Sequence, residues 1–134
     1  MLESFKIKNR IVMKYCNDFR YDLKVGQIGE KLLSDILLNK KIEVKRDSWI
    51  YKSGNIAIEY ESRGKPSGIA KSEAGYWAII FSGGYEDEII IIIKENRLKK
   101  ICREFYKKGN IKSMGDNNTS KSILIPIKEF LKTN

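Results

Sequence analysis

Apolar residues recur along this chain in two rhythms. Leu33, Ile36 and Leu37, and later Leu98, Ile101, Cys102 and Phe105, fall three and four residues apart, which puts each set on one side of a helix. The spacing predicts a helix over about 28–38 and a second one ending near Gly109. Between them the rhythm changes to alternation or unbroken apolar runs, so 41–47, 55–62, 76–81 and 88–93 read as strands. The five consecutive isoleucines at 89–93 have the pattern of a strand buried on both faces.

The intervening pieces are polar or rich in glycine. Gly26-Gln27-Ile28-Gly29 leads into the first helix, and residues 48–54 read as a long hairpin connection joining 41–47 to 55–62. Residues 63–68 form a turn by their glycine and proline content, and 82–85 separate two strands. Residues 109–121 read as a mobile polar loop. They precede a short edge strand at 123–126 and a helical turn through Phe130 and Leu131. Residues 1–24 carry an imperfect helical period. The order of elements predicts an α/β (α+β) domain spanning 1–134, with a central mixed sheet of about four strands flanked by helices. A chain of 134 residues is long enough for one core but not two.

Charge changes this picture more than composition does. Lysine and arginine number 26 against 17 acidic residues, a net charge of +9. Such a surplus on a small domain favours a polyanion, nucleic acid first and an anionic membrane surface second, although a solvated basic surface has the same composition. The isoleucine run is far shorter than the ~20 residues that span a bilayer. The opening Met1-Leu2-Glu3-Ser4 lacks the basic and apolar regions of a signal peptide. Cys16 and Cys102 have no metal-like spacing and point to reduced thiols in a cytoplasmic compartment, Cys102 as a packing residue. There is no histidine, which excludes a Ser-His-Asp triad and a histidine-bound zinc site.

The candidate chemistry lies in two strands. In Glu43-Val44-Lys45-Arg46-Asp47, alternation puts Glu43, Lys45 and Asp47 on one face. In Asn55-Ile56-Ala57-Ile58-Glu59-Tyr60-Glu61, it puts Asn55, Ala57, Glu59 and Glu61 together. An antiparallel hairpin with Asp47 near Asn55 would set Glu43 opposite Glu59. Opposed carboxylates repel, and a divalent cation such as Mg²⁺, which takes one or two carboxylates plus water and phosphate, would reverse that interaction. An exposed hairpin face of mixed charge carries the same pattern. Glu30 shares a helical stripe with Leu33 and Leu37, and reads either as an inward carboxylate or as a first-turn glutamate favoured by the helix dipole.

Taken in order, Gly29-Glu30, Glu43-Val44-Lys45-Arg46-Asp47 and Gly54-Asn55-Ile56-Ala57-Ile58-Glu59 resemble the PD-(D/E)XK nuclease superfamily. The likeness is to its small phage-type and prokaryotic members, among them Holliday-junction resolvase-like endonucleases. Gly64-Lys65-Pro66-Ser67-Gly68-Ile69 and Ala74-Gly75-Tyr76-Trp77 extend it, although the group has Asp where this chain has Gly75. The resemblance covers about 26–81. It implies a restriction-endonuclease-like core and hydrolysis of DNA, branched or otherwise structured, by a Mg²⁺-dependent endonuclease, with Mn²⁺ as a substitute and a homodimer as a compatible assembly. Glu30, Glu43 and Lys45 match its helix and Glu-x-Lys positions.

The family's separate Asp-bearing strand is missing, since only Asn39, Lys40 and Lys41 separate the first helix from the strand that carries Glu43. Either Asp47 or Glu59 supplies the missing oxygen, or Glu43 takes the Asp position and Glu59-Tyr60-Glu61 the second motif. The implied catalytic set is therefore Glu30, Glu43, Lys45, Asp47 and Glu59, with metal on Glu43, Glu59 and Asp47. Loss of activity on the same fold would leave a silent nucleic-acid-binding or regulatory domain.

For DNA contacts the candidates are Arg63, Lys65, Ser67 and Lys71, where basic side chains and backbone amides of a loop suit phosphate oxygens. Trp49 and Tyr51 could stack on an unpaired base, or pack in a core or dimer seam. The basic polar face of the second helix, from Lys94 to Lys108, reads equally as a solvated surface or a DNA contact.

Overall fold

The computed structural model describes residues 19–83 and 87–132. The chain divides into two compact units between Asn39 and Lys40. The first contributes α1 (Phe19–Asn39), one helix of 21 residues. Gly26 and Gly29 therefore lie inside it rather than in a turn before it. Neither has a left-handed backbone, and a glycine costs a helix only about 1 kcal/mol relative to alanine. The helical reading of residues up to 18 lies outside the described residues.

The second unit runs β1 (Ile42–Asp47), a one-turn helix α2 (Ile50–Ser53), β2 (Asn55–Ser62), β3 (Lys65–Pro66), a 3₁₀ turn (Gly68–Ala70), β4 (Tyr76–Ser82) and β5 (Asp87–Lys94). It continues with α3 (Glu95–Lys107), β6 (Ile111–Met114), a 3₁₀ turn (Asp116–Asn118), β7 (Ser120–Pro126) and a last 3₁₀ turn (Ile127–Leu131). The α+β class with a mixed sheet is as the sequence indicates. The strands, however, form two sheets, of order β1-β4-β5 and β3-β2-β7-β6.

The expected β1–β2 hairpin does not form. β1 pairs in parallel with β4, Glu43 beside Trp77 and Lys45 beside Ile79, whereas β2 pairs antiparallel with β7, Glu59 beside Ser122. The cause is local. Residues 48–54 are not a hairpin loop but a helical turn, anchored by Ile50 at 3% exposure. Gly54 closes it at φ 69°, its N–H bonding the Ile50 carbonyl. That turn carries β2 out of the plane of β1 and into the other sheet.

Three further expectations change. β5 is an edge strand in which Ile89 and Ile90 are 45% and 57% exposed, so the isoleucine run is not buried on both faces. The polar segment 109–121 contains β6 and the start of β7, and β7 is an inner strand between β2 and β6 rather than an edge. Asn117 and Asn118 take left-handed conformations in the connection, which asparagine tolerates better than most residues.

One core holds the second unit together. Ile56 and Ile58 of β2, Ile123 and Ile125 of β7, and Trp77, Ile79 and Phe81 of β4 meet Leu98, Ile101, Cys102 and Phe105 of α3. The helical stripe read from the sequence is thus the buried face of α3.

The two sheets are also joined by a polar contact. Asp47, at the end of β1, is 5% exposed. Its Oδ1 accepts from the Trp49 N–H at 3.0 Å and its Oδ2 from the Ala57 N–H of β2 at 3.2 Å. β3 covers β2 only at Glu61 and Ser62, so at Ala57 the carboxylate stands where a strand would. Asp47→Ala should lower unfolding stability by about 2–4 kcal/mol, the scale of two backbone donors losing a charged acceptor, and Asp47→Asn by roughly half as much. Urea denaturation measures both. An Asn variant as stable as the wild type would show that the carboxylate has no such structural role.

Candidate functional site

A groove of about 360 Å³ opens where the end of β1 approaches the start of β2 and the β6 hairpin. Ala57 and Leu124 lie in its lining, neighbours in the β2–β7 register on the sheet face that points away from the core. Lys45 and Arg46 come from β1 and Lys112 from β6, while Ser48, Asn55 and Ser113 add neutral polar groups. Among the described residues the only carboxylate in the lining is that of Asp47, already bonded to two backbone amides. Lys45 and Lys112 against one committed carboxylate make the described lining positive. Neither Lys45 nor Lys112 has an ion-pair partner among the described residues.

The expected acidic residues are distributed rather than gathered. Glu43 shares a face of β1 with Lys45 and Asp47, as alternation requires. It is exposed and opens into a separate hollow with Lys41 and Glu73. Glu59 lies on β2 in the other sheet, and its Oε2 accepts from the Ser67 hydroxyl at 2.9 Å. Glu61, next on that strand, pairs with Lys121 at 3.1 Å. Glu30 is exposed on α1, in the first unit.

Among the described residues no three acidic or cysteine side chains stand close enough to hold a metal ion. Glu43, Asp47 and Glu59 are therefore not gathered into one three-carboxylate cluster. The reason is the pairing: a hairpin would have faced Glu43 with Glu59, whereas α2 sends their strands into different sheets.

The proposed DNA-contact loop also resolves differently. Arg63 and Gly64 form the two-residue tip of the β2–β3 hairpin, both with positive φ, 52° and 77°. That is the type I′ geometry, which favours Asn-Gly, and an arginine there is strained by roughly 1 kcal/mol. Arg63, Lys65 and Lys71 are exposed. Ser67 instead fastens the loop to β2 through Glu59. Gly68, at φ 52°, presses so closely on β2 that a Cβ would run into the Glu59 carbonyl. This loop stands at the far end of the eight-residue β2, about 24 Å along the strand from Asn55. Lys45 and Arg63 thus belong to different surfaces.

Glu95 was not foreseen. It opens α3 directly after β5, and sequence alone gives only a first-turn glutamate suited to the helix dipole. In the fold it is 4% exposed. It accepts from the Ser72 hydroxyl, from Trp77 Nε1 at 2.8 Å and from Lys99 Nζ at 2.9 Å. Burial pushes its carboxyl pKa up, but the hydrogen bonds from Ser72, Lys99 and Trp77 outweigh this and hold it below the ordinary glutamate value. Its position ties α3 to β4 rather than to the groove. Cys102 is buried, and desolvation pushes its thiol up to about 12, consistent with a packing role and not a nucleophile.

No family model, curated protein or solved structure matches this chain. No helix among the described residues is long and apolar enough to cross a membrane.

The Glu95 network implies a direction of pH dependence. A carboxyl whose pKa is lowered by folding contributes stability that is whole above the unfolded value and shrinks as pH falls through the lowered folded value. Wild type should therefore lose stability on acidification through and below the ordinary glutamate range. Glu95→Gln should be less stable near neutrality and show a shallower acid loss. Urea unfolding of both proteins across acid to neutral pH reads the difference. Parallel curves would remove Glu95 as the source.

Proposed function

We propose that this chain binds DNA, and that the groove carrying Lys45, Arg46 and Lys112 holds the phosphate backbone. The observation that supports this most directly is the groove's charge: Lys45 and Lys112, brought together from two sheets, flank a lining in which the one carboxylate among the described residues is occupied by backbone amides. The net charge of +9 supplies the long-range attraction. Serine hydroxyls and the Asn55 amide in the same lining suit phosphate and sugar oxygens, which take half or more of protein–DNA hydrogen bonds.

Binding of this kind should weaken steeply with salt, because each neutralised phosphate releases condensed counterions. Replacing Lys45 and Lys112 together by Ala should lower affinity across unrelated sequences and reduce the log–log salt slope by about 2. The pair Arg63→Ala and Lys65→Ala should have the smaller effect. Fluorescence anisotropy with a labelled duplex at several salt concentrations distinguishes the two surfaces. A larger loss in the hairpin pair would move the DNA surface to the β2–β3 end.

Endonuclease activity is the second reading. It is favoured by the placement of Glu43 and Lys45 on one face of β1, with Lys45 at the groove, together with the ordered PD-(D/E)XK-like motifs. Mg²⁺ or Mn²⁺ would be its cofactor, although the expected three-carboxylate set does not assemble here. The test is cleavage of linear, nicked, flapped and four-way DNA with Mg²⁺, Mn²⁺ or EDTA. On this reading, cleavage requires metal and disappears in Glu43→Gln, which keeps the shape of the side chain and loses its charge. Stable binding without cleavage on any of these substrates leaves the silent DNA-binding domain.

A further inference from the structure

We infer that Trp49 is a stacking platform for an unpaired nucleobase, so that the groove recognises DNA with single-stranded character. This rests on the DNA-binding reading above and specifies its substrate class. Trp49 lines the groove beside Lys45 and Arg46 and is 61% exposed. Large exposed aromatics gain nothing from the fold by being exposed, so packing does not account for this one.

Its neighbours show the contrast. Tyr51, also exposed, sets its ring edge-on to Phe81 with centroids 6.4 Å apart, and lies over Gly83 at a separation that a Cβ would crowd. Tyr51 is therefore held by packing. Trp77, the other tryptophan, is 3% exposed with its indole N–H bonded to Glu95. Trp49 alone of these three presents its ring to the groove without a packing partner of that kind.

The backbone beneath the ring is fixed. Trp49 N–H donates to Asp47 Oδ1 at 3.0 Å. Its carbonyl accepts from Lys52 N–H at 3.0 Å, Ser53 N–H at 2.9 Å and the Ser53 hydroxyl at 3.0 Å. The next residue, Ile50, is sunk in the core. An exposed ring on so constrained a backbone loses little conformational entropy when a ligand covers it.

Charge completes the match. Lys52 Nζ stands 5.2 Å from the indole centroid, within cation–π range, and Lys45 and Lys112 lie in the same groove. A flat ring among cations suits a base stacked on the indole with its phosphates on the lysines, the combination that single-strand-binding surfaces use. Duplex DNA hides its base faces within the stack, so the platform has no partner there.

The test uses the full chain, a labelled single-stranded oligothymidylate and a duplex of equal length at fixed salt. Trp49→Ala should weaken single-strand binding roughly 5- to 100-fold, the range for losing one base–aromatic stack, and change duplex affinity by less than about twofold. Trp49→Phe should restore most of the loss. Binding should also quench indole emission in the wild type. If both DNAs bind but Trp49→Ala leaves single-strand affinity unchanged, the platform is wrong and the DNA groove stands. If the wild type binds neither, the DNA reading fails and takes the platform with it. If Trp49→Ala converts a dimer to a monomer by sedimentation with single-strand affinity unaltered, the indole belongs to a seam between copies and the inference is overturned.

Discussion

Two backbone amides converge on the carboxylate of Asp47, and the architecture of the second unit depends on them. β1 ends there, and the chain turns through α2 into a different sheet. That change of sheet leaves the Ala57 N–H at a buried position where β3 does not reach. A buried N–H without an acceptor costs about 1–3 kcal/mol. Asp47 Oδ2 meets it, while Oδ1 fixes the first amide of the turn. One side chain thus bridges the two sheets and holds the first amide of the turn that Ile50 anchors. The same contacts commit one lone pair of each Asp47 oxygen to a backbone donor.

This separates what was legible in the sequence from what was not. Period-2 alternation correctly placed Glu43, Lys45 and Asp47 on one face, located β2 at 55–62, and marked β4 and β5 closely. The period of 3.6 found the buried side of α3 through Leu98, Ile101, Cys102 and Phe105. Alternation identifies faces but not partners. The nearest strand in sequence has the lowest loop-closure cost, which makes a β1–β2 hairpin the natural expectation. What decides otherwise is Ile50, the one aliphatic residue of segment 48–54, whose burial converts a loop into a helical turn. β6 was missed because Lys112 and Ser113 show no apolar alternation, and its turn depends on left-handed Asn117 and Asn118. The candidate site was legible residue by residue and not as an assembly, since Glu43, Asp47 and Glu59 are real features of three different surroundings.

The charged inner face of β1 has two physical explanations that do not exclude each other. β1 is the edge of its sheet, and inward-pointing charges on an edge strand discourage pairing with another chain. That accounts for the presence of Glu43 and Lys45 without any ligand. It does not account for Lys112, which lies on a strand of the other sheet and lines the same groove. A cation supplied from a second sheet makes the groove positive from more than one side, which edge protection does not require and the proposed phosphate contact would use.

The same comparison argues against α3 as the principal contact surface despite its sequence. Its outer face is rich in lysine, yet Lys99 is turned to buried Glu95 and the Ser72 carbonyl, and Lys108 to Glu104. Those ion pairs neutralise part of the helix's apparent charge. Lys45 and Lys112 have no such partners among the described residues and line one recess, Lys45 half-buried and Lys112 exposed. There the walls exclude water on one side and the field of each cation is less screened. Charge density where a phosphate can be enclosed matters more than the number of lysines on a helix. What sets the groove at the end of β1 apart from the hollow on α3 is that its lysines come from two sheets and the indole of Trp49 stands in the same lining.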